Sequence, residues 1–444
     1  MKISRRDFLQ DTLVTSVGAA VLINDPLTTS LLSTGPNGAY RGTLPIMQGL
    51  TTKTTSQFVI LTPSAQHYGY AIVDDKGTTY PVRITNRETR SFSDWGIEKI
   101  LVSNLKINTN YNLKVINPTS GLPVDERNFR SLDTDLKKPN LTIASCMKDQ
   151  KVREREEMWD NLAATRPDMV FLIGDTCYSD NNNDGSDADY WRRYCETRTL
   201  LSHFRQKNLT PTLAVWDDHD FAGNNADGTF ARKEMTKHLF KLFWDNEPQE
   251  NVLVKGPGVS QIFTAFGQRF FMMDSRYYRS PRTQQNYPVQ WGNEQETFLF
   301  SNMSKSKSPV WLMNGSQFFG GYLKKDAFEF WHLENFKNVC RELSKQEAPV
   351  IFASGDVHFT EYMQIEPEIL GYPTFEIVSS AIHSTTIFFN HRRHKNPRRI
   401  CADSSNQFTN VLTSIDAKAG WTVEAQSFKL GGQQTLAATM NIKR

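Results

Sequence analysis

PDMVFLIGDTCY, residues 167–178, sets an unbroken apolar run directly against Gly174, Asp175 and Tyr178. A short apolar run without polar alternation is the pattern of a strand buried on both faces, as in a parallel sheet covered by helices. The pattern recurs along the chain. NLTIAS at 140–145 ends in Cys146, and TLAVW at 212–216 ends in Asp217, Asp218 and His219. RFFMM at 269–273 ends in Asp274, and VIFASG at 350–355 ends in Asp356 and His358. Helical periodicity separates these runs, as in REREEMWDNLAATR at 153–166 and FEFWHLENFKNVCRELSKQ at 328–346. The reading is α/β. In such sheets ligands bind outside the carboxyl ends of the strands, where these side chains would converge.

The preceding texture differs. Residues 40–135 alternate short β-branched or aromatic runs with turn residues, the pattern of a small antiparallel β-sandwich of fibronectin or immunoglobulin type. Within it, LKINTNYNLKVIN at 105–117 places Tyr111 as the plug of a turn between two edge strands. A linker around 134–139 leads to the α/β domain, 139–444. Residues 1–35 read as an export signal: SRRDFLQ at 4–10 carries paired arginines, and an uncharged apolar-to-small run follows at 13–23. No clean small-x-small cleavage site precedes Gly35, so cleavage and retention as an anchor both stay open. The twin-arginine translocation machinery exports folded proteins, which suits a chain loaded with metal beforehand, and the destination is periplasmic or extracellular.

Composition sets outer limits. The 444 residues carry 51 Lys and Arg against 48 Asp and Glu, a net charge of +3 that gives no global field for nucleic acid. After the N-terminal segment no run approaches the roughly 18 to 20 apolar residues of a membrane span. The five cysteines, Cys146, Cys177, Cys195, Cys340 and Cys401, form no CxxC pair and are odd in number, so no disulfide scaffold is indicated.

The residues at the run ends have a shared chemical meaning. Carboxylates suit hard cations, while an imidazole, a thiolate and a phenolate favour a transition metal at one position, so a two-metal site is expected. Such a pair activates water and clamps the attacking and leaving oxygens of a displacement at phosphorus. No GxSxG nucleophile context is present.

Taken together, ASC at 144–146, GDTCY at 174–178, WDDHD at 216–220, MMDSRYYR at 272–279 and SGDVHF at 354–359 resemble the PhoD-like alkaline phosphatases and phosphodiesterases of the calcineurin-like metallophosphatase superfamily. WGNEQETFL at 291–299 and WLMNGSQF at 311–318 follow in the family's order. The resemblance implies a four-layer metallophosphatase domain, two mixed sheets flanked by helices, hydrolysing phosphodiesters or phosphomonoesters with a metal-activated hydroxide. It also implies roles. Asp175 would bridge two metals; Tyr178, Cys146 and His358 would hold iron(III); Asp218 and Asp356 would hold calcium. His219 would contact phosphate and protonate the departing oxygen.

Asn224, Asn225 and Arg276, with Arg279, are candidates for phosphate contacts. Asp274 is read either as a site residue or as a partner of Arg276, and His383 as a further ligand or a core residue. Ser179 and Cys177 depart from the family's usual residues, and Cys177 reads as buried filler. The loop at 180–185 follows D-x-N-x-D-G, half of an EF-hand calcium loop, but its twelfth position is Trp191 rather than Glu. The basic run HRRHKNPRR at 391–399 is a solvated loop or a recruiter of anionic polymer or lipid headgroups. Other readings of the whole chain are a phospholipase D-like or teichoic-polymer phosphodiesterase of the same fold, or a non-catalytic surface binding protein. An oxidoreductase is disfavoured by the absence of haem and nucleotide-binding motifs.

Overall fold

A computed structural model describes residues 33–34, 40–150, 152–283, 287–324, 326–387, 389–416 and 420–444. The signal read at 1–35 lies outside them except for Ser33 and Thr34. Strands are numbered here from Ile46. β1 (Ile46–Thr51), β2 (Ser56–Pro63), β5 (Val82–Thr89) and β6 (Trp95–Val102) form one antiparallel sheet in the order β1-β2-β6-β5. β3 (Gly69–Asp74), β4 (Thr79–Tyr80), β7 (Asn110–Ile116) and β8 (Pro123–Arg130) form the second, in the order β8-β7-β3-β4. The period of two along β2 explains its continuous apolar sequence. Phe58 and Ile60 enter the sandwich core with Ile72, Leu113 and Phe129, whereas Val59 and Leu61 face the main core of the α/β region. The sandwich is thus packed onto the rest of the chain through one of its own sheets. Tyr111 is buried, and its hydroxyl accepts the Lys106 N–H at 2.7 Å. The hydroxyl thus holds the turn that precedes β7, but β7 is an inner strand of its sheet rather than an edge.

The α/β region contains two further sheets. The first has six strands: β9 (Asn140–Ala144), β10 (Met169–Ile173) and β11 (Thr212–Val215) are parallel, and β20 (Gln407–Asp416), β21 (Gly420–Lys429) and β22 (Gln434–Ile442) continue it antiparallel, in the order β11-β10-β9-β20-β21-β22. The second has eight: β12 (Leu253–Lys255), β13 (Gln261–Ala265), β14 (Gln268–Met272), β15 (Val310–Met313), β16 (Val350–Ser354), β17 (Thr360–Ile365), β18 (Thr374–Val378) and β19 (Arg399–Asp403), in the order β12-β13-β14-β15-β16-β18-β17-β19. Its central strands β14, β15, β16 and β18 are parallel. The two mixed sheets face each other. Phe171 on β10 stacks on Phe270 of β14 at 4.7 Å between centroids, and Trp311 on β15 meets Trp421 of β21 edge-on at 5.5 Å. Buried Gln268 accepts from both indoles, at 2.9 and 3.2 Å, so the apolar interface leaves neither N–H without a partner.

The helices cover the outer faces. α1 (Val152–Ala164) matches the expected periodicity. The helical stretch expected at 328–346 divides into Phe328–Trp331 and Leu333–Ser344, because His332 takes a non-helical backbone (φ −132°, ψ 52°) while its ring nitrogen reaches the Ser280 carbonyl at 3.1 Å. In the second piece Phe336, Val339, Cys340 and Leu343 form the buried stripe of an amphipathic helix. Among the described residues no helix is long and apolar enough to cross a membrane.

The carboxyl ends of the parallel strands in both sheets meet at one place. Ser145, after β9, donates to the Ser379 carbonyl at 2.9 Å, and Ser379, after β18, donates back to Ile143 at 2.8 Å. Glycine is required at this seam. Gly174 has φ +93°, and a Cβ there would lie 2.6 Å from the Asp217 Cβ and 3.0 Å from the Gly315 Cα.

Candidate metal centre

Cys146 and Asp175 each stand two residues past their strands, β9 and β10; Asp218 opens a one-turn helix after β11, and Asp356 and His358 follow β16. Four of these residues have left-handed backbones: Cys146 (φ 56°), Asp175 (φ 52°), Asp356 (φ 67°) and His358 (φ 55°). Such conformations cost a side-chain-bearing residue about 1–3 kcal/mol, and their clustering is characteristic of sites where geometry matters more than local stability. Here they turn the side chains off the strand ends and into a common space.

The donor atoms form a continuous run. Those of Cys146, Asp175 and His358 lie within 4.8 Å of one another, as do those of Asp175, Asp218 and His219, and those of Asp217, Asp218 and Asp356. Asp175 and Asp218 each belong to two groups. The Tyr178 hydroxyl joins the first, 3.3 Å from both the Asp175 Oδ2 and the His358 Nε2. Thiol, imidazole and phenol thus gather on one side of Asp175 and carboxylates on the other, a donor set that fits a softer transition ion beside a hard one.

The electrostatics point the same way. Burial, and then the charges of Asp218, Asp217, Asp220 and Asp356, push the Asp175 carboxyl well above its ordinary range. Burial followed by Asp218, Asp326 and Asp217 does the same to Asp356. Burial and the Asp175 charge raise the Cys146 thiol and the Tyr178 phenol. Asp218 is the exception: burial opposes its charge, but Arg276 and His219 outweigh that and lower it. Among the described residues the buried Asp217 Oδ2 has no hydrogen-bond partner. A set of mutually repelling buried donors with an orphaned carboxylate oxygen fits occupation by cations, which would remove both penalties.

Second contacts orient the ligand types. The His358 Nδ1 lies 2.6 Å from the Thr385 carbonyl, which assigns the proton to Nδ1 and leaves the Nε2 lone pair facing the Tyr178 hydroxyl, free to ligate a cation. The Cys146 sulfur lies 3.2 Å from the Ser380 hydroxyl and 3.3 Å from that of Ser145. The Tyr178 hydroxyl also meets Ser384 at 2.9 Å.

His219 stacks on the Tyr178 ring at 4.3 Å. Its Nδ1 lies 2.8 Å from the Asp180 Oδ1, which leaves Nε2 available to a substrate. Burial works against charge on this ring, but the hydrogen bond to Asp180 and the nearby Asp218 outweigh it and raise the pKa.

The remaining sequence candidates separate. Asn224 and Asn225 lie exposed at the rim, and the Asn225 N–H donates to the Asp218 Oδ2 at 2.7 Å. Arg276 does not stand where a substrate would reach it. It is fully buried; its Nε donates to Asp217, and its other nitrogens to Asp326 and Ser316 at 2.9 Å each. Arg279 is also buried and paired with Asp326. These arginines brace the carboxylates from behind. Asp274 accepts the backbone N–H groups of Arg276 and Tyr277 at 2.9 Å, and thus fixes the turn rather than the guanidinium. His383 is a core residue: its Nε2 accepts the Trp159 indole N–H and its Nδ1 donates to the Lys148 carbonyl, both at 2.9 Å, and burial lowers its pKa to about 4.

The loop at 180–185 directs its acids elsewhere, Asp180 to His219 and Asp184 to the Ser186 N–H at 2.8 Å, so it does not converge on a calcium position. In the basic run, Arg398 pairs with Glu329 and Glu366, and Arg399 with Glu361. Cys177 is buried as expected. Sequence reading gave three participants no role at this centre: Asp180, named only within the calcium-loop pattern; Asp217, named at its run end beside Asp218; and Asp326, which stands in no motif.

No curated protein matches the chain. Solved structures of amylomaltase from Corynebacterium glutamicum (8 % identity, covering 32 % of this chain and 25 % of that one, TM-score 0.17) and of pullulanase complexed with maltotriose from Anoxybacillus sp. (9 %, 70 % and 62 %, TM-score 0.14) are too dissimilar to carry an argument. The chain spans less than two thirds of either. The family model for PhoD-like phosphatases, in contrast, matches residues 141–426. That match takes in every strand end that contributes a donor to the centre, and the chain belongs to the PhoD-like phosphatase family.

Proposed function

We propose that the chain is an exported metal-dependent phosphoesterase acting on phosphodiesters, phosphomonoesters or both, with iron(III) on the Cys146, Tyr178 and His358 side of Asp175 and calcium on the Asp218 and Asp356 side. The observation that carries this reading is the shared position of Asp175 between two chemically different donor groups, with His219 alongside. Cations bound there supply an activated water and neutralise charge on the phosphoryl oxygens. The protein's own residues do the rest. Asp175 and Asp218 tie the two donor groups together, Asp180 holds the His219 proton on Nδ1 when the ring is neutral, and the charged ring carries a proton on Nε2 for the departing ester oxygen. Arg276 donates to Asp217 and holds it in place behind the carboxylates.

Export by the twin-arginine pathway, to the periplasm or cell surface, rests on the paired arginines and apolar run of residues 1–35. The test of the whole reading is elemental analysis of purified protein for iron and calcium, paired with hydrolysis of a chromogenic diester and monoester before and after chelation. Metal with chelator-sensitive hydrolysis supports it. Metal without hydrolysis of any ester points to a binding protein, and neither metal nor hydrolysis removes the ligand assignment.

A further inference from the structure

Lys148 lies two residues beyond Cys146, half-buried in the loop after β9. Its ammonium sits 5.5 Å from the centroid of the Tyr178 ring, the same ring on which His219 stacks. The loop is held at more than one point. His383, itself fixed by the Trp159 indole, donates to the Lys148 carbonyl at 2.9 Å, and Arg155 binds the carbonyl of Asp149.

The neighbouring acid does not neutralise this lysine. Asp149 is 3 % exposed and turned inward, its carboxylate gripped by Arg193 at 2.8 and 2.9 Å and by the Thr197 hydroxyl at 2.8 Å. Among the described residues no carboxylate forms an ion pair with the Lys148 ammonium, whose recorded contact is the Tyr178 ring. The arginines nearest the carboxylates, Arg276 and Arg279, are engaged by Asp217 and Asp326. A cation with no ion-pair partner among the described residues is thereby held beside the ring that carries His219.

We propose that Lys148 determines ester specificity: its ammonium contacts the phosphoryl group bound beside Tyr178 and His219, and it favours a dianionic monoester over a monoanionic diester. This rests on the phosphoesterase reading. A phosphomonoester presents one more negative charge and one more unsubstituted oxygen than a diester, and a partly buried ammonium discriminates between them because solvent screens it less than an exposed one.

The test compares wild type, Lys148→Met and Lys148→Arg, each normalised to metal content, on a monoester and a diester of the same chromogenic alcohol, with inorganic phosphate as competitive inhibitor. Lys148→Met is expected to lower the monoester-to-diester ratio of kcat/KM about tenfold and to weaken phosphate inhibition by a similar factor. Lys148→Arg, which keeps the charge, should restore most of both. An unchanged ratio in Lys148→Met, or equal losses on both esters, overturns the proposal. A wild type that hydrolyses neither ester removes the phosphoesterase reading instead. Calorimetric titration with inorganic phosphate then tests Lys148 separately: weaker binding by Lys148→Met supports its anion contact, and equal affinity overturns it.

Discussion

His219 and Asp180 are joined by a 2.8 Å contact between Nδ1 and Oδ1, so the residue that opens an apparent calcium loop in fact orients the histidine beside the metal donors. This contact and Asp218 overcome burial to raise the His219 pKa. An acid that must be protonated to act stays active up to its pKa, so a raised value extends activity toward alkaline pH. Asp180→Asn removes the charge that helps raise it. The falling alkaline limb of kcat/KM should therefore move to lower pH, with turnover reduced about 10- to 100-fold and metal content retained. A pH profile of the variant beside wild type measures this, and an unmoved alkaline limb would dissociate Asp180 from the proton transfer.

Replacement of His219 should separate chemistry from metal binding. His219→Ala is expected to lower turnover by about 10²- to 10⁴-fold while metal content stays near wild type, because the Cys146, Asp175 and His358 group and the Asp217, Asp218 and Asp356 group keep all their donors. Asp175→Ala should lose metal as well as activity, since Asp175 belongs to two of the donor groups. Elemental analysis alongside turnover distinguishes the two; equal metal loss in both variants would make His219 a ligand instead.

The positions of the donors were legible in sequence because their signal is local: an apolar run that stops at an acid, cysteine or histidine places that residue at a strand end. Asp175, Asp218, Asp356 and Cys146 all have that signal. What surrounds them was not local. Asp326 reaches Arg276 across 50 positions, and Asp180 reaches His219 across 39. The fate of Arg276 turned on the same long-range pairing. An arginine in a motif after a strand reads equally well as a phosphate contact or as a brace, and burial by segments distant in sequence decides between them. The sandwich illustrates the same limit: alternation revealed its strands, but not that the outer face of β2 would join the core of the neighbouring region.

Arg276 makes this distinction measurable. If it braces Asp217 and Asp326, Arg276→Met leaves buried Asp217 without its cation and Asp326 with Arg279 alone, an effect of about 3–5 kcal/mol on stability. The denaturant midpoint should fall markedly, and metal retention with it. A residue that only touched phosphate would instead raise KM and leave the midpoint unchanged. Denaturation curves of the chelated and metal-loaded variant, read beside KM, separate these outcomes. A rise in KM alone would restore the substrate-binding role.

The raised carboxyls of Asp175 and Asp356 also predict how metal and pH share control of stability. Their folded pKa values lie above the unfolded ones, so in metal-free protein they favour folding at acid pH, and that contribution is lost as pH rises through the folded values. Asp220, pushed by burial up to about 7, shifts in the same direction. Bound cations reverse the sense, because deprotonated carboxylates are the better ligands and binding releases protons. The contribution of these groups to chelated-protein stability should therefore decline between about pH 5 and about pH 8, while the gain in unfolding midpoint on restoring metal grows across the same interval. Thermal unfolding of matched chelated and reloaded samples across that range, with proton release followed in weak buffer during reloading, provides the check. A metal-induced gain that stayed constant with pH, together with no proton release, would mean that these carboxylates are already ionised before the cations arrive.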